Sequence, residues 1–186
     1  MSKIAKTSTL SAWAKLLFMT VVACAVIAFD QVSKACMREY LADGPKPFLP
    51  GIIRFVLVQN KGAAFSIGEG SSWLFILFAL IVVMAAYVWV ARDKNLPLSI
   101  VLGLGIVCGG GIGNLIDRVV VGAVTDFIAT QFIDFPIFNV ADIAISCGII
   151  GTFLLVCHFD VANPNTHTNS CELSDSQEKL PEQRQA

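Results

Sequence analysis

Charge is scarce in this chain. Only 15% of its residues are Asp, Glu, Lys or Arg, against about 25% in ordinary soluble domains. The charge that exists balances to −1, and no basic stripe is visible. Nucleic acid is therefore excluded as a partner, because phosphate binding needs clustered Lys and Arg. Histidine is almost absent. His158 and His167 are the two present, and no His-Glu-x-x-His pattern occurs, so zinc hydrolysis lacks ligands. The six cysteines (Cys24, Cys36, Cys108, Cys147, Cys157 and Cys171) never fall in a C-x-x-C spacing, and four sit inside apolar runs. That argues against a disulfide framework and against a metal site. Serine chemistry fares no better. Ser66 in "AFSIG" lacks the first glycine of G-x-S-x-G and has no histidine on its side of the membrane. Cys36 has the same difficulty.

What the chain does hold is hydrocarbon. Hydrophobic residues make up 55% of it, and its mean hydropathy is +0.71. Four stretches reach the roughly 20 apolar residues needed to cross a bilayer core. They run over about 10–29, 72–91, 96–116 and 141–159. Lys15, near the start of the first, is expected to extend its stem and hold its ammonium at the interface. The second is uncharged from Ser72 to Ala91 and carries Trp73, Tyr87 and Trp89 near its ends, where aromatic belts form. Backbone groups in such spans must bond internally, so the expected fold is an α-helical integral membrane protein with four transmembrane helices.

The third span is rich in glycine, "GLGIVCGGGIGN", but matches neither G-x-G-x-x-G nor the Walker pattern. Gly105, Gly109 and Gly113 instead recur every four residues, a small-residue stripe that lets membrane helices approach closely. The first span loosely resembles a lipoprotein signal, with Lys3, Lys6 and "VVAC". Its apolar run continues past Cys24 to Phe29 and three more spans follow, which favours an uncleaved helix. Charge does not orient the bundle. Seven basic residues fall on one side (Lys3, Lys6, Lys15, Arg92, Lys94, Lys179, Arg184) and six on the other (Lys34, Arg38, Lys46, Arg54, Lys61, Arg118).

Segments 30–71 and 117–140 then lie on one face. "GIIRFVLVQNKGAAFSIG" combines a β-branched and aromatic run with an Asn-Lys-Gly turn signal, predicting a small β-structured cap. Residues 160–186, with five acidic and two basic groups, hold too little apolar surface to fold alone and read as a disordered tail. Residues 1–159 form the membrane domain.

Nearly all the polar residues of interest gather on the capped face. Asp30 and Lys34 are spaced for a helical ion pair, and a boundary salt bridge would explain them. Asn114, Asp117 and Arg118 stand at i, i+3 and i+4, placing an amide, a carboxylate and a guanidinium on one helix face. Simple neutralisation of Arg118 would explain Asp117, yet Asn114 beside them points to a polar pocket. Asp126 follows in "GAVTDF". Asp142, in "FNVAD", is spaced from Asn139 as in a capping box and suits a helix start. Asp134 is equally well explained as a solvated loop residue. Two carboxylates brought together in a poorly hydrated site would retain one proton between them, giving a base and an acid. The base activates water against a peptide carbonyl and the acid protonates the oxygen and later the leaving amine, while Arg118, Asn114 or Asn60 steadies developing charge. This chemistry suits several Asp pairs and does not choose among them. The rival reading is a small proton-coupled transporter, whose acids would spread toward both faces. A noncatalytic scaffold would explain the glycines but not the polar cluster.

"DQVSK" (Asp30 to Lys34), "NKGAAFS" (Asn60 to Ser66), "GNLIDR" (Gly113 to Arg118), "GAVTDF" (Gly122 to Phe127) and "FNVAD" (Phe138 to Asp142), in this order among four spans, resemble the lipoprotein signal peptidases, or signal peptidase II. The likeness covers residues 10 to 158. It implies an aspartic endopeptidase of the bacterial inner (cytoplasmic) membrane with both termini cytoplasmic and an extracytoplasmic cap. Its substrates would be diacylglyceryl-modified prolipoproteins, cut before the lipidated cysteine. By the same resemblance Asp126 and Asp142 are catalytic. Asn60, Asn114, Arg118 and Asn139 belong to the substrate pocket, and Asp30, Lys34 and Asp117 support the site. Prolipoproteins and membrane lipids are the implied partners, with no obligate protein partner evident, and no metal or organic cofactor is implied. Gly111 stands where the family often has alanine, a difference expected to touch helix packing.

Overall fold

Each apolar run closes on itself as a helix, because backbone amides cannot go unpaired in hydrocarbon. In the computed structural model, which describes residues 10–62 and 72–162, the order is α1 (Ala12–Tyr40), β1 (Lys46–Leu49), β2 (Ile53–Asn60), α2 (Ser72–Arg92), α3 (Leu98–Val120), β3 (Val124–Thr130) and α4 (Val140–Ala162). All four helices are long and apolar enough to cross a membrane. Residues 1–9, the "AAFS" half of the second motif and the tail from 163 lie outside the described residues. The chain divides after Thr152 into two compact units; of the second, only the final turns of α4 are described.

The helices outrun the apolar stretches that predict them. Most of the excess is in α1, which starts from a Ser11 N-cap and continues past Phe29 to Tyr40. Its 29 residues measure about 43 Å, more than the roughly 30 Å of a hydrocarbon core. The added turns carry Asp30, Lys34 and Arg38 at i, i+4 and i+8, on one face. They remain helical because those side chains find partners, as described below. Lys15 is buried, and its Nζ donates to the Lys94 carbonyl at 2.6 Å, fastening the α2–α3 turn. Tyr87 bonds Thr20 of α1 through their hydroxyls at 3.0 Å.

Helix α3 is the central element, and glycine is the reason it can be. A Cβ on Gly105 would meet Met19 and Val22 of α1, one on Gly109 would stand 2.7 Å from Val26 Cβ, and one on Gly113 would stand 2.6 Å from Asp30 Oδ2. The four-residue stripe is therefore the seam against α1. On another face Gly103 and Gly110 admit Thr152 and Ala141 of α4.

The cap is a three-stranded antiparallel sheet in the order β1-β2-β3. It unites the two segments expected on one face; the short β1 was not anticipated. β2 pairs β3 with Asn60 opposite Val124 and Val58 opposite Asp126, and a register shift lies between Phe55 and Val58. β3 then pairs with the entry to α4. Phe138 O accepts from the amides of Phe127 and Ile128, and its own amide donates to Ile128 O at 3.1 Å.

If the glycine seam sets the α1–α3 distance, Gly109→Val should destabilise the protein by about 1–3 kcal/mol through overpacking. Gly151→Ala, where a Cβ meets nothing within 4 Å, should not. Thermal unfolding in detergent distinguishes the two; equal midpoints would remove the seam from the account.

Candidate active site

Two carboxylates meet where β3 and the start of α4 are zipped together. Strand alternation sends Asp126 to one side of β3 and Thr125 to the other. Asn60, opposite Val124, is the diagonal neighbour of Asp126 on the same sheet face, and its Nδ2 donates to Asp126 Oδ2 at 3.0 Å. Asn139 Nδ2 donates to the other oxygen at 2.7 Å. Asp142, in the first turn of α4, accepts from Asn114 Nδ2 at 2.8 Å and from the Asn139 backbone amide at 3.0 Å. Asn139 Oδ1 in turn accepts from the Asp142 amide at 3.1 Å, a reciprocal cap. The helix-start role of Asp142 is thus real, and it coexists with a place in the site.

One amide orientation follows from charge. An ammonium can only donate, so the Asn114 oxygen faces Lys34 Nζ at 2.9 Å and its nitrogen is left to face Asp142. That oxygen also accepts from Asn139 Nδ2 at 3.1 Å, linking the two carboxylates through two buried asparagines.

Beneath these amides lies a buried ionic cluster. Lys34 is fully buried, 2.8 Å from Asp30 Oδ2 and 3.2 Å from Asp117 Oδ2. The helical ion pair expected from spacing exists, but as part of a triad. Asp30 Oδ1 also accepts from the Ala141 amide at 3.0 Å, and Asp117 Oδ2 from the Thr125 amide at 2.9 Å. The cluster therefore grips both strands of chain that carry Asp142 and Asp126. Asp117 does not line the cavity with Asn114 and Arg118, and among the described residues it forms no salt bridge with Arg118. At i+3 and i+4 from Asn114 the two side chains diverge by about 100°, so Asp117 turns to α1 while Arg118 lines the cavity. Arg118 donates to the carbonyls of Gly62 at 3.2 Å and Asn114 at 3.4 Å, and lies over the Phe75 ring. Asp134 is exposed.

Three contributors were missed. Arg38 reaches Thr125 Oγ1 at 2.7 Å and Asp117 at 3.7 Å, and Gln31 Nε2 bonds Asp30, Asp117 and the Gly113 carbonyl. The i+8 spacing of Arg38 from Asp30 was a usable signal. Thr125 and Gln31 carried none.

A cavity of about 690 Å³ opens under the carboxylates, with Asn60, Asn114, Arg118, Asp126 and Asp142 at its polar head and α2, α3 and α4 side chains such as Phe78, Val83, Val107 and Ile145 on its apolar walls. Gly111 belongs to those walls, not to helix packing. Burial pushes the Asp126 carboxyl up to about 6; the charge of Asp142 adds to this, and the Asn60 and Asn139 amides and Lys34 oppose it.

The sequence profile of Signal peptidase (SPase) II matches residues 22–159. The chain belongs to the signal peptidase II family. The lipoprotein signal peptidase of Streptococcus pyogenes serotype M1 is 41% identical over 133 residues, covering 71% of this chain and 86% of that protein. That of serotype M5 (strain Manfredo) is 40% identical over the same shares. Among solved structures, a bacterial membrane enzyme determined by the in meso method at 2.3 Å is similar, with a TM-score of 0.67 and 29% identity over 80% of this chain and 92% of that one. A second, at 1.9 Å, gives 0.64 and 30% over 75% and 92%. This signal peptidase II is a membrane-embedded aspartic-type peptidase that acts on the signal peptides of prolipoproteins.

Removing the one ammonium from the triad tests how far the site depends on it. Lys34→Met leaves Asp30 and Asp117 buried and should cost about 3–5 kcal/mol, with part recovered in Lys34→Met/Asp30→Asn. Denaturant titration in detergent reads both; a single mutant as stable as wild type contradicts the cluster's role.

Proposed function

We propose that Asp126 and Asp142 are the catalytic pair of this peptidase, and that the substrate is a prolipoprotein whose cysteine carries diacylglycerol, cut on the N-terminal side of that cysteine. The observation that carries the reading is the pairing of two amide-held carboxylates with the head of an otherwise apolar cavity. A lipid-bearing peptide in a bilayer needs that combination, because its hydrocarbon stays among the helices while its scissile bond lies near the headgroups.

The pair keeps one proton near neutral pH, since two ionised carboxylates in a poorly hydrated site repel. The ionised member takes a proton from a water, whose oxygen attacks the peptide carbonyl carbon. The protonated member gives its proton to the carbonyl oxygen. Collapse of the tetrahedral species breaks the C–N bond as a proton passes to the cysteine nitrogen, leaving a carboxylic acid and an amine. Arg118, bonded to carbonyls and stacked on Phe75, and the amides of Asn60 and Asn114 stand where developing negative charge would be stabilised. Asn139 fixes both carboxylates, and Asp30, Lys34 and Asp117 position the segments bearing them. The capped face is extracytoplasmic and both termini are cytoplasmic. The buried acids Asp30, Asp117 and Asp126 all lie at this end, which is the distribution a cleavage site requires.

Asp126→Asn and Asp142→Asn should each lower cleavage of a diacylglyceryl prolipoprotein by about 10³-fold or more, with the fold intact by circular dichroism. Wild-type rates in either variant would refute the assignment. The pH profile gives a separate check. As pH falls through about 6, Asp126 takes up a proton and the pair loses its base, so kcat/KM should fall between about pH 7 and pH 5. Asn60→Ala removes a donor that favours the ionised form, so this limb should move to higher pH; an unmoved limb would mean Asp126 does not govern it.

A further inference from the structure

Two buried carboxylates and one ammonium leave the cluster of Asp30, Lys34 and Asp117 one cation short of neutrality. Arg38 supplies a second, one turn further along α1, with its guanidinium 3.7 Å from Asp117 Oδ1 and a side chain 36% exposed. That ion pair is a loose one. The tighter contact of the same nitrogen is to Thr125, whose Oγ1 accepts from it at 2.7 Å. Thr125 is fully buried and immediately precedes Asp126. Three elements grip it. Arg38 of α1 holds the hydroxyl, Asp117 of α3 accepts from the backbone amide at 2.9 Å, and Gln59 of β2, its partner across the sheet, donates to the same hydroxyl oxygen at 3.4 Å.

We propose that Arg38 and Thr125 form a positioning pair for the reaction, fixing the roll of β3 so that Asp126 is aimed at the cavity. This rests on the reading of Asp126 as a catalytic carboxylate. Successive side chains of a strand point to opposite faces. A strand held by both the amide and the hydroxyl of Thr125 cannot rotate about its axis without breaking one of those bonds, so the direction of Asp126 is set with them. The sheet ladder alone does not do this. The register of β2 against β3 shifts between Phe55 and Val58, beside the Val58–Asp126 pair, and such a shift interrupts the ladder and increases the local twist. On the opposite face Asp126 meets the amides of Asn60 and Asn139, the carboxylate of Asp142 and the cations Lys34 and Arg118. The two amides favour its ionised form against burial, so a roll of β3 that lengthens those bonds pushes its carboxyl further up.

The test uses the purified full-length enzyme and a synthetic prolipopeptide bearing an S-dipalmitoylglyceryl cysteine, with kcat and KM measured across pH. Thr125→Val keeps the shape of the side chain and removes its hydroxyl. It should lower kcat by about ten-fold, leave KM within about two-fold, and move the acid limb to higher pH. Thr125→Ser, which restores a hydroxyl, should recover kcat to within about two-fold of wild type and return the limb. Arg38→Leu should reproduce Thr125→Val, and the double variant should be no slower than the slower single, since both remove one bond. Wild-type kcat in Thr125→Val, no recovery in Thr125→Ser, or losses that multiply in the double variant overturn the positioning pair while leaving the peptidase reading intact. A kcat that falls with the limb unmoved also counts against the pair, because loss of folded enzyme lowers the rate without shifting its pH dependence. If Arg38→Leu does not fold, Thr125→Val and Thr125→Ser decide. Cleavage at the wild-type rate by Asp126→Asn overturns the reading itself.

Discussion

A single ammonium group, that of Lys34, sits between two carboxylates with no exposure to solvent, and the active-site end of the molecule is assembled around it. Burying three charges is unfavourable unless every lone pair and proton is used. Here each carboxylate bonds Lys34, a backbone amide and the Gln31 side chain. Asp30 holds Lys34 and the Ala141 amide, and Asp117 holds Lys34 and the Thr125 amide. These two backbone amides adjoin Asp126 and Asp142 in sequence, so the ionic cluster fixes where the proposed catalytic pair stands.

The same ammonium fixes chemistry as well as position. By occupying the Asn114 oxygen it directs the Asn114 amide nitrogen to Asp142. Asn139 then spends one side chain on three tasks: capping α4, bonding Asp126 and bonding Asn114. Such economy is possible because β3 and the residues entering α4 pair as a short antiparallel bridge. Helix packing serves this arrangement too. The glycine seam brings α1 close enough to α3 that Asp30 rests against Gly113, and any bulk there would displace the carboxylate that anchors α4.

Much of this was legible in one dimension. Hydropathy alone marks four spans, and the four-residue glycine spacing marks the face on which α3 packs. Segment lengths place the polar motifs on one side. The reach of α1 was not legible, since hydropathy ends where Asp30 begins; its last turns are held by the ion pairs of Lys34 and Arg38 with Asp117 of the distant α3. The placement of Asp117 on the pocket face failed because i+3 and i+4 neighbours share a face only loosely. Gly111 was misread because packing glycines and cavity glycines look alike in a sequence.

The sequence by itself determined the solvent of this protein, its helices and the end of the bundle where the polar residues gather, because hydrophobicity and periodicity are local properties. It also carried motifs dense enough to reveal the family. Only the tertiary structure decided which aspartates share a cavity. Asp30, Asp117, Asp126, Asp134 and Asp142 are the same side chain, and they differ in what surrounds them: two neutralise a buried lysine, one is solvated, and two face each other's charge across asparagine amides. Environment is set by contacts between distant segments, and no local pattern encodes it.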